Sequence, residues 1–190
     1  MRCVQSTRCA IFVMAHGFPA RDTSSTGFEL SLANRQSIHV VDEPRLLDGA
    51  RRVLADSKFT SATISLAVVD DSTIHALNRQ FLNHDWPTDV LSFVLDVRGS
   101  HLDGEVVLSA DMAATAAAEA GWAPADEQLL YVIHGMLHLV GLDDQAEADV
   151  RNMRAAERFY LQECGVVMPV TPPNSDAASD RLRAGGTSPW

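Results

Sequence analysis

The sequence predicts an α+β fold, a mixed four-stranded sheet packed with about five helices, and three observations lead there. Short β-branched runs alternate with stretches of helical periodicity in the first part of the chain, two strand-like segments follow one another across glycine turns, and three helical patterns come last.

In chain order, Ile38-His39-Val40-Val41 reads as a first strand. Pro44 then suits the first turn of a helix that carries Leu46, Leu47, Ala50, Val53 and Leu54 at helical spacing. Thr63 to Val69 is β-branched and apolar at most positions, as a buried central strand requires. Asp70-Asp71-Ser72 caps a helix through Ile74, Leu77 and Phe81. A loop over 83–88 leads into a strand from Asp89 to Leu95. The turn signals Arg98-Gly99-Ser100 and Asp103-Gly104 separate this strand from Glu105 to Ser109, so the two are expected to pair antiparallel. Asp111 opens an alanine-dense helix ending near Gly121, in which Ala113 to Ala118 suits close helix packing. Pro124 to Val140 forms a longer helix closed by Gly141, and Ala146 to Cys164 a last one ended by Gly165. Residues 1–36 and 169–190 carry no sustained period and are expected to be loose tails flanking a single domain over 37–168.

The 190 residues, 46% hydrophobic and 21% charged, suit one globular domain. No apolar run reaches the roughly 18–20 residues of a membrane span. Arg2 and Arg8 precede an apolar patch, Ala10 to Ala15, that is short for a secretory signal, so the chain is expected in the cytoplasm. Cys3, Cys9 and Cys164 match neither a disulfide framework nor a thiolate metal site. The formal charge of −10 argues against nonspecific attraction to nucleic acid. Fourteen of the fifteen basic residues are nevertheless Arg, which can make local bidentate phosphate contacts.

The chemistry concentrates in one segment. His134 and His138 stand four apart on a helix, so both imidazoles project from one face and can converge on a cation. Gly141 then lets the chain turn back and brings Asp143 or Asp144 towards the same point. Asp144 is preferred as the third ligand, with Asp143 orienting a ligand or capping the next helix. Two histidines and one carboxylate leave a fourth tetrahedral position for water, the pattern of catalytic zinc, which lowers the pKa of its water to roughly 7 and favours hydrolysis. The alternative is a pair of core histidines followed by helix-capping aspartates. The string also resembles the zincin-like pattern H-E-x-x-H-x-x-G-x-x-H/D of zinc peptidases, but Gly135 stands where the general-base Glu belongs.

The string from His134 to Asp144 resembles the H-G-x-L-H-L-x-G-x-D-H hallmark of the YbeY family of metal-dependent endoribonucleases. Leu77-Asn78, Asp85 and Pro87 to Phe93 resemble that family's L-N…P-T-D-V-L-S-F block, and Gly104 to Ser109 its G-D-I-x-I-S strand, so the resemblance spans roughly 38–165. It implies a single-strand-preferring endoribonuclease holding one zinc ion. The implied role is maturation of ribosomal RNA at the small-subunit 3′ end and ribosome quality control, with RNA and the small ribosomal subunit as partners. Two departures stand out. Asp144 replaces the family's third histidine as a harder oxygen ligand, and Leu82 replaces its phosphate-contacting Arg, for which Arg79, one helical turn earlier, is the candidate substitute.

The residues do not name a general base, and Asp143 stands as a candidate. His84 reads as a loop residue, and Trp86 and Trp122 as core or interface residues rather than base-stacking ones. Glu147, Asp149, Glu157 and Glu163 read as a solvated helix face. Two other functions stay open: a zinc hydrolase of a peptide or amide bond, and a noncatalytic ribosome-associated binding protein.

Overall fold

In the computed structural model, residues 4–5 and 27–168 are described. Four strands build the body of the sheet: β2 (Phe28–Asn34), β3 (Ser61–Val69), β4 (Val90–Arg98) and β5 (His101–Ser109), with the two-residue β1 (Val4–Gln5) beside β4. The order is β1-β4-β5-β3-β2. Strands β2, β3 and β5 run parallel, and β4 pairs antiparallel with β5, which makes the sheet mixed as expected. Five helices accompany it: α1 (Glu43–Ala55), α2 (Asp71–Leu82), α3 (Ala110–Ala120), α4 (Pro124–Val140) and α5 (Glu147–Glu163).

The first strand is not where the sequence placed it. Ile38 and Val40 are 77% and 89% exposed, and the amides of Ile38 and His39 donate to the Gln36 side chain rather than to a neighbouring strand. The strand lies earlier, at Phe28–Asn34, where Phe28, Leu30 and Leu32 point into the core and the residues between them point outward. The segment expected as a tail to residue 36 therefore contains β2. Residues 1–3 and 6–26 of that tail, with Cys3 and Cys9 among them, and the whole of 169–190 lie outside the described residues. The Asp103-Gly104 turn is likewise absent: both residues lie within β5. A Cβ on Gly104 would meet Leu139 Cδ1 at 2.9 Å, so this glycine serves the close approach of a helix.

Both faces of the sheet are covered, which explains the continuous apolar run in β3. Ala67, Val69, Leu91, Phe93 and Val107 meet Ile74 and Leu77 of α2 on one side. Ile64, Leu66, Val68, Val106 and Leu108 join the larger core under α1, α4 and α5 on the other. Helix α4 is the hub: twelve of its seventeen residues are buried, so its apolar character all round is that of a helix enclosed by sheet and helices. Among the described residues no helix is long and apolar enough to cross a membrane.

Candidate metal centre

Helix α4 sits close on the sheet because Gly135 has no side chain there. A Cβ would lie 2.6 Å from Val106 Cγ1, 3.0 Å from Ser92 Oγ and 3.2 Å from Val90 Cγ2. His134, the residue before Gly135, and His138 one turn on bring their imidazoles together, with ring centroids 4.6 Å apart. The helix ends at Gly141 with φ +110°, a left-handed conformation that glycine adopts without strain. The Gly141 and Leu142 amides donate back to the carbonyls of His138 and Leu137. This reversal carries Leu142 and Asp144 back over the final turn.

Partners on both sides fix the two rings. His134 Nδ1 lies 2.6 Å from Glu157 Oε1 of α5, and His138 Nδ1 lies 3.0 Å from the Leu142 carbonyl oxygen. Carboxylate and carbonyl oxygens only accept, so each Nδ1 carries a proton and donates it. The two Nε2 atoms are then left facing each other at 3.1 Å, with lone pairs that tolerate this approach only around a positive charge, either a bridging proton or a metal ion. Asp144 Oδ1 is 3.9 Å from His138 Nε2, and one ligand atom from each of His134, His138 and Asp144 falls within 4.8 Å of the others. Around a tetrahedral cation with bonds of about 2.0–2.2 Å, neighbouring ligand atoms stand about 3.3–3.6 Å apart. The three expected ligands therefore come together as a donor set that suits a divalent ion, with the carboxylate farther out than tetrahedral spacing.

The field around the rings is acidic. Burial pushes the His134 pKa down, but the Glu157 hydrogen bond and the charges of Glu157, Asp89 and Asp144 outweigh it, and the net shift is upward. His138 is shifted downward, first by burial and then by the positive His134 beside it. Buried Asp89, at the start of β4, is raised chiefly by burial. Glu127, Tyr131, His134 and His138 share one stripe of α4, and burial raises the Glu127 carboxyl to about 7 even though Trp122 Nε1 donates to it at 2.6 Å.

Glu157 is the residue that sequence reasoning misplaced on a solvated face. Glu147 and Glu163 are exposed, but the Glu157 side chain is only 14% exposed and is turned to His134. Its signal was periodicity: it lies midway between Met153 and Leu161, the two buried residues of α5, at intervals of four. Asp143 is exposed and accepts the Asp144 amide at 2.8 Å, so it braces the neighbouring ligand and does not cap α5, whose first residue has no side-chain cap. Arg79 is 66% exposed, with Nη1 3.8 Å from Asp85 Oδ1. Leu82 packs at the edge of the α2 core cluster, a place for a hydrophobe and not a guanidinium. Trp122 is half-buried as expected, whereas Trp86 is exposed and stacked on His84.

The family model described as "Endoribonuclease YbeY" matches residues 31–165. The protein named Endoribonuclease YbeY of Rhodopirellula baltica is 38% identical over 135 residues, covering 66% of this chain and 70% of that protein. The namesake from Syntrophotalea carbinolica is 40% identical over 136 residues, covering 67% and 90%. That from Geobacter metallireducens is 34% identical over 137 residues, covering 68% and 91%. A Thermotoga maritima protein solved in solution is 23% identical, covers 75% of this chain and 99% of its own, and superposes with a TM-score of 0.49.

Proposed function

This chain belongs to the YbeY family of endoribonucleases, and on that premise we propose that it is a zinc-dependent endoribonuclease that cuts single-stranded RNA. Its place is the maturation of ribosomal RNA at the small-subunit 3′ end and ribosome quality control, in the cytoplasm, with the small ribosomal subunit as partner. The observation that carries the reading is the pair of Nε2 atoms held face to face at 3.1 Å with the Asp144 carboxylate beside them.

His134, His138 and Asp144 would hold the ion. When bound, zinc supplies Lewis acidity: it makes water a better nucleophile at neutral pH and offsets charge that develops on a phosphodiester. Glu157 and the Leu142 carbonyl keep both rings in the tautomer that offers Nε2, and Asp143 steadies Asp144 from outside. Asp143, being exposed next to the ligand set, is the candidate to accept a proton from water. Arg79 is the candidate phosphate contact, released from Asp85 when substrate arrives.

The peptidase reading is weakened further by Gly135. A side chain at that position would run into Val106 and Ser92 on the sheet and not towards the ligands, so the general base of the peptidases has neither its residue nor room here. Incubating the purified protein with labelled single-stranded RNA and with casein, with and without chelator, tests the proposal. RNA cleavage that is lost with chelator and in His138→Ala is expected. Casein cleavage, or no metal-dependent cleavage of RNA, would overturn it. In the same assay Arg79→Ala is expected to slow cleavage, and unchanged activity removes Arg79 from the mechanism.

A further inference from the structure

The loop over 83–88 joins α2 to β4 and is held in one shape. Asn83 closes α2 with φ 58°, the His84 amide donates to the Asn78 carbonyl at 3.4 Å, and Asn78 Nδ2 donates to the Trp86 carbonyl at 2.8 Å. His75 Nε2 lies 2.9 Å from Asp85 Oδ1. On this frame the His84 imidazole and the Trp86 indole stack, with centroids 4.7 Å apart and planes 12° from parallel. Trp86 is 42% exposed and belongs to neither core cluster, so packing of the interior does not account for its place.

Position gives the pair its meaning. Three residues after Trp86 comes Asp89, and the next residue, Val90, opens β4 and lies against α4 at Gly135, the neighbour of His134, where a Cβ would stand 3.2 Å from Val90 Cγ2. An extended backbone advances about 3.3–3.6 Å per residue, so the Trp86 backbone is within about 11 Å of that of Asp89. The exposed Arg79 guanidinium borders the same loop through Asp85. An aromatic platform and a cation thus flank the segment that leads into the strand packed against the ligand-bearing helix.

We propose that the stacked His84–Trp86 pair is a nucleobase-stacking subsite that seats an unpaired base of the RNA beside the candidate metal centre. This rests on the endoribonuclease reading above. Stacking on an aromatic face tolerates any base but requires that base to be out of a duplex, so the subsite selects single strands without reading sequence. It also supplies affinity independent of charge, which a chain of net charge −10 needs more than a basic one does. Because the rings are already stacked and the loop already anchored, little ordering remains to be done on binding.

The test is the dissociation constant of the full-length protein for a short single-stranded oligoribonucleotide, taken by stopped-flow anisotropy before cleavage proceeds. A matched strand with abasic sites serves as the second ligand. Trp86→Ala is expected to weaken binding roughly 5- to 150-fold, Trp86→Phe to retain most of it, and His84→Ala to fall between. On the abasic strand the variants should match the parent protein, and the Trp86→Ala loss should persist at high salt. Equal affinity of Trp86→Ala and the parent for intact RNA overturns the subsite. An equal loss on the abasic strand also overturns it, since Trp86 would then act through loop structure or a phosphate. Chelator-sensitive cleavage with Trp86-independent binding refutes the subsite alone, whereas no RNA binding by the parent protein refutes the endoribonuclease reading with it.

Discussion

Replacing Glu157 with Ala removes the carboxylate that orients His134 and leaves the ring's Nδ1 proton without its acceptor. The contact is 2.6 Å long between two largely buried side chains, a charge-assisted hydrogen bond of the kind that contributes about 1.5–3 kcal/mol. Part of that energy reaches the metal, because a carboxylate behind a ligating imidazole makes its other nitrogen a better donor. Loss of such partners lowers metal affinity about 10–100-fold, or roughly 1.4–2.8 kcal/mol. Glu157→Gln keeps an acceptor and loses the charge, so its affinity should lie between the two. A chelator-competition titration with zinc reads this directly, with circular dichroism as the check on folding. The metal-free protein adds a second reading. The His134 pKa is raised above its ordinary 6.5, so its pairing with Glu157 contributes stability that is full below 6.5 and lost as pH rises through the raised value. Glu157→Ala should therefore destabilise the metal-free protein more at about pH 5.5 than at about pH 8.5 in urea unfolding. Parental zinc affinity in Glu157→Ala would refute the role assigned to this contact.

Glu127 titrates at about 7 against an ordinary 4.5, so the folded state holds its proton more tightly and stability falls as pH rises between those values, by on the order of 3 kcal/mol. Glu127→Gln, which still accepts from Trp122, should flatten that slope, and parallel urea-unfolding slopes at pH values on either side would contradict the burial argument. Gly135→Ala forces a Cβ to 2.6 Å from Val106 Cγ1, where overpacking of about 1–3 kcal/mol opposes a helix-propensity gain of about 1. The expected outcome is a lower urea midpoint, and a variant more stable than the parent would show that α4 has room to lift. Leu30→Ala should cost about 2–5 kcal/mol as a core truncation in β2, while Ile38→Ala stays within about 0.5. Equal effects of the two in thermal melts would place the first strand wrongly.

The parts of the site that were legible in the sequence are those whose information is local. His134 and His138 lie one turn apart on a helix whose stop residue is visible as Gly141, and the returning carboxylate is three residues further on, so spacing alone predicts their convergence. Glu157 is 23 residues away along the chain from His134, and its meaning depends on which flank of α5 meets α4. A glutamate among other charged residues looks solvated until Met153 and Leu161 are taken as the buried stripe. Gly104 shows the same limit in reverse. A glycine after an aspartate has the signature of a turn, and only the Leu139 side chain lying where its Cβ would be explains it as a contact inside a strand. The first strand was misplaced because Phe28-Glu29-Leu30-Ser31-Leu32 alternates over a short stretch next to irregular sequence, and the β-branched Ile38 and Val40 offered a stronger propensity signal. Propensity yielded to burial.

The charge of the chain gains a different meaning once the fold is known. As composition, −10 opposes binding to a polyanion. In the structure, Asp89, Asp144 and Glu157 all act on His134. Carboxylates gathered around two imidazoles whose lone pairs face each other suit a dication, which would reverse the local sign when bound. The residues that seem to repel a phosphodiester are the ones that would hold the charge able to attract it. On the proposed reading, aromatic stacking at Trp86 and the guanidinium of Arg79 would then have only to position a strand drawn in by the cation.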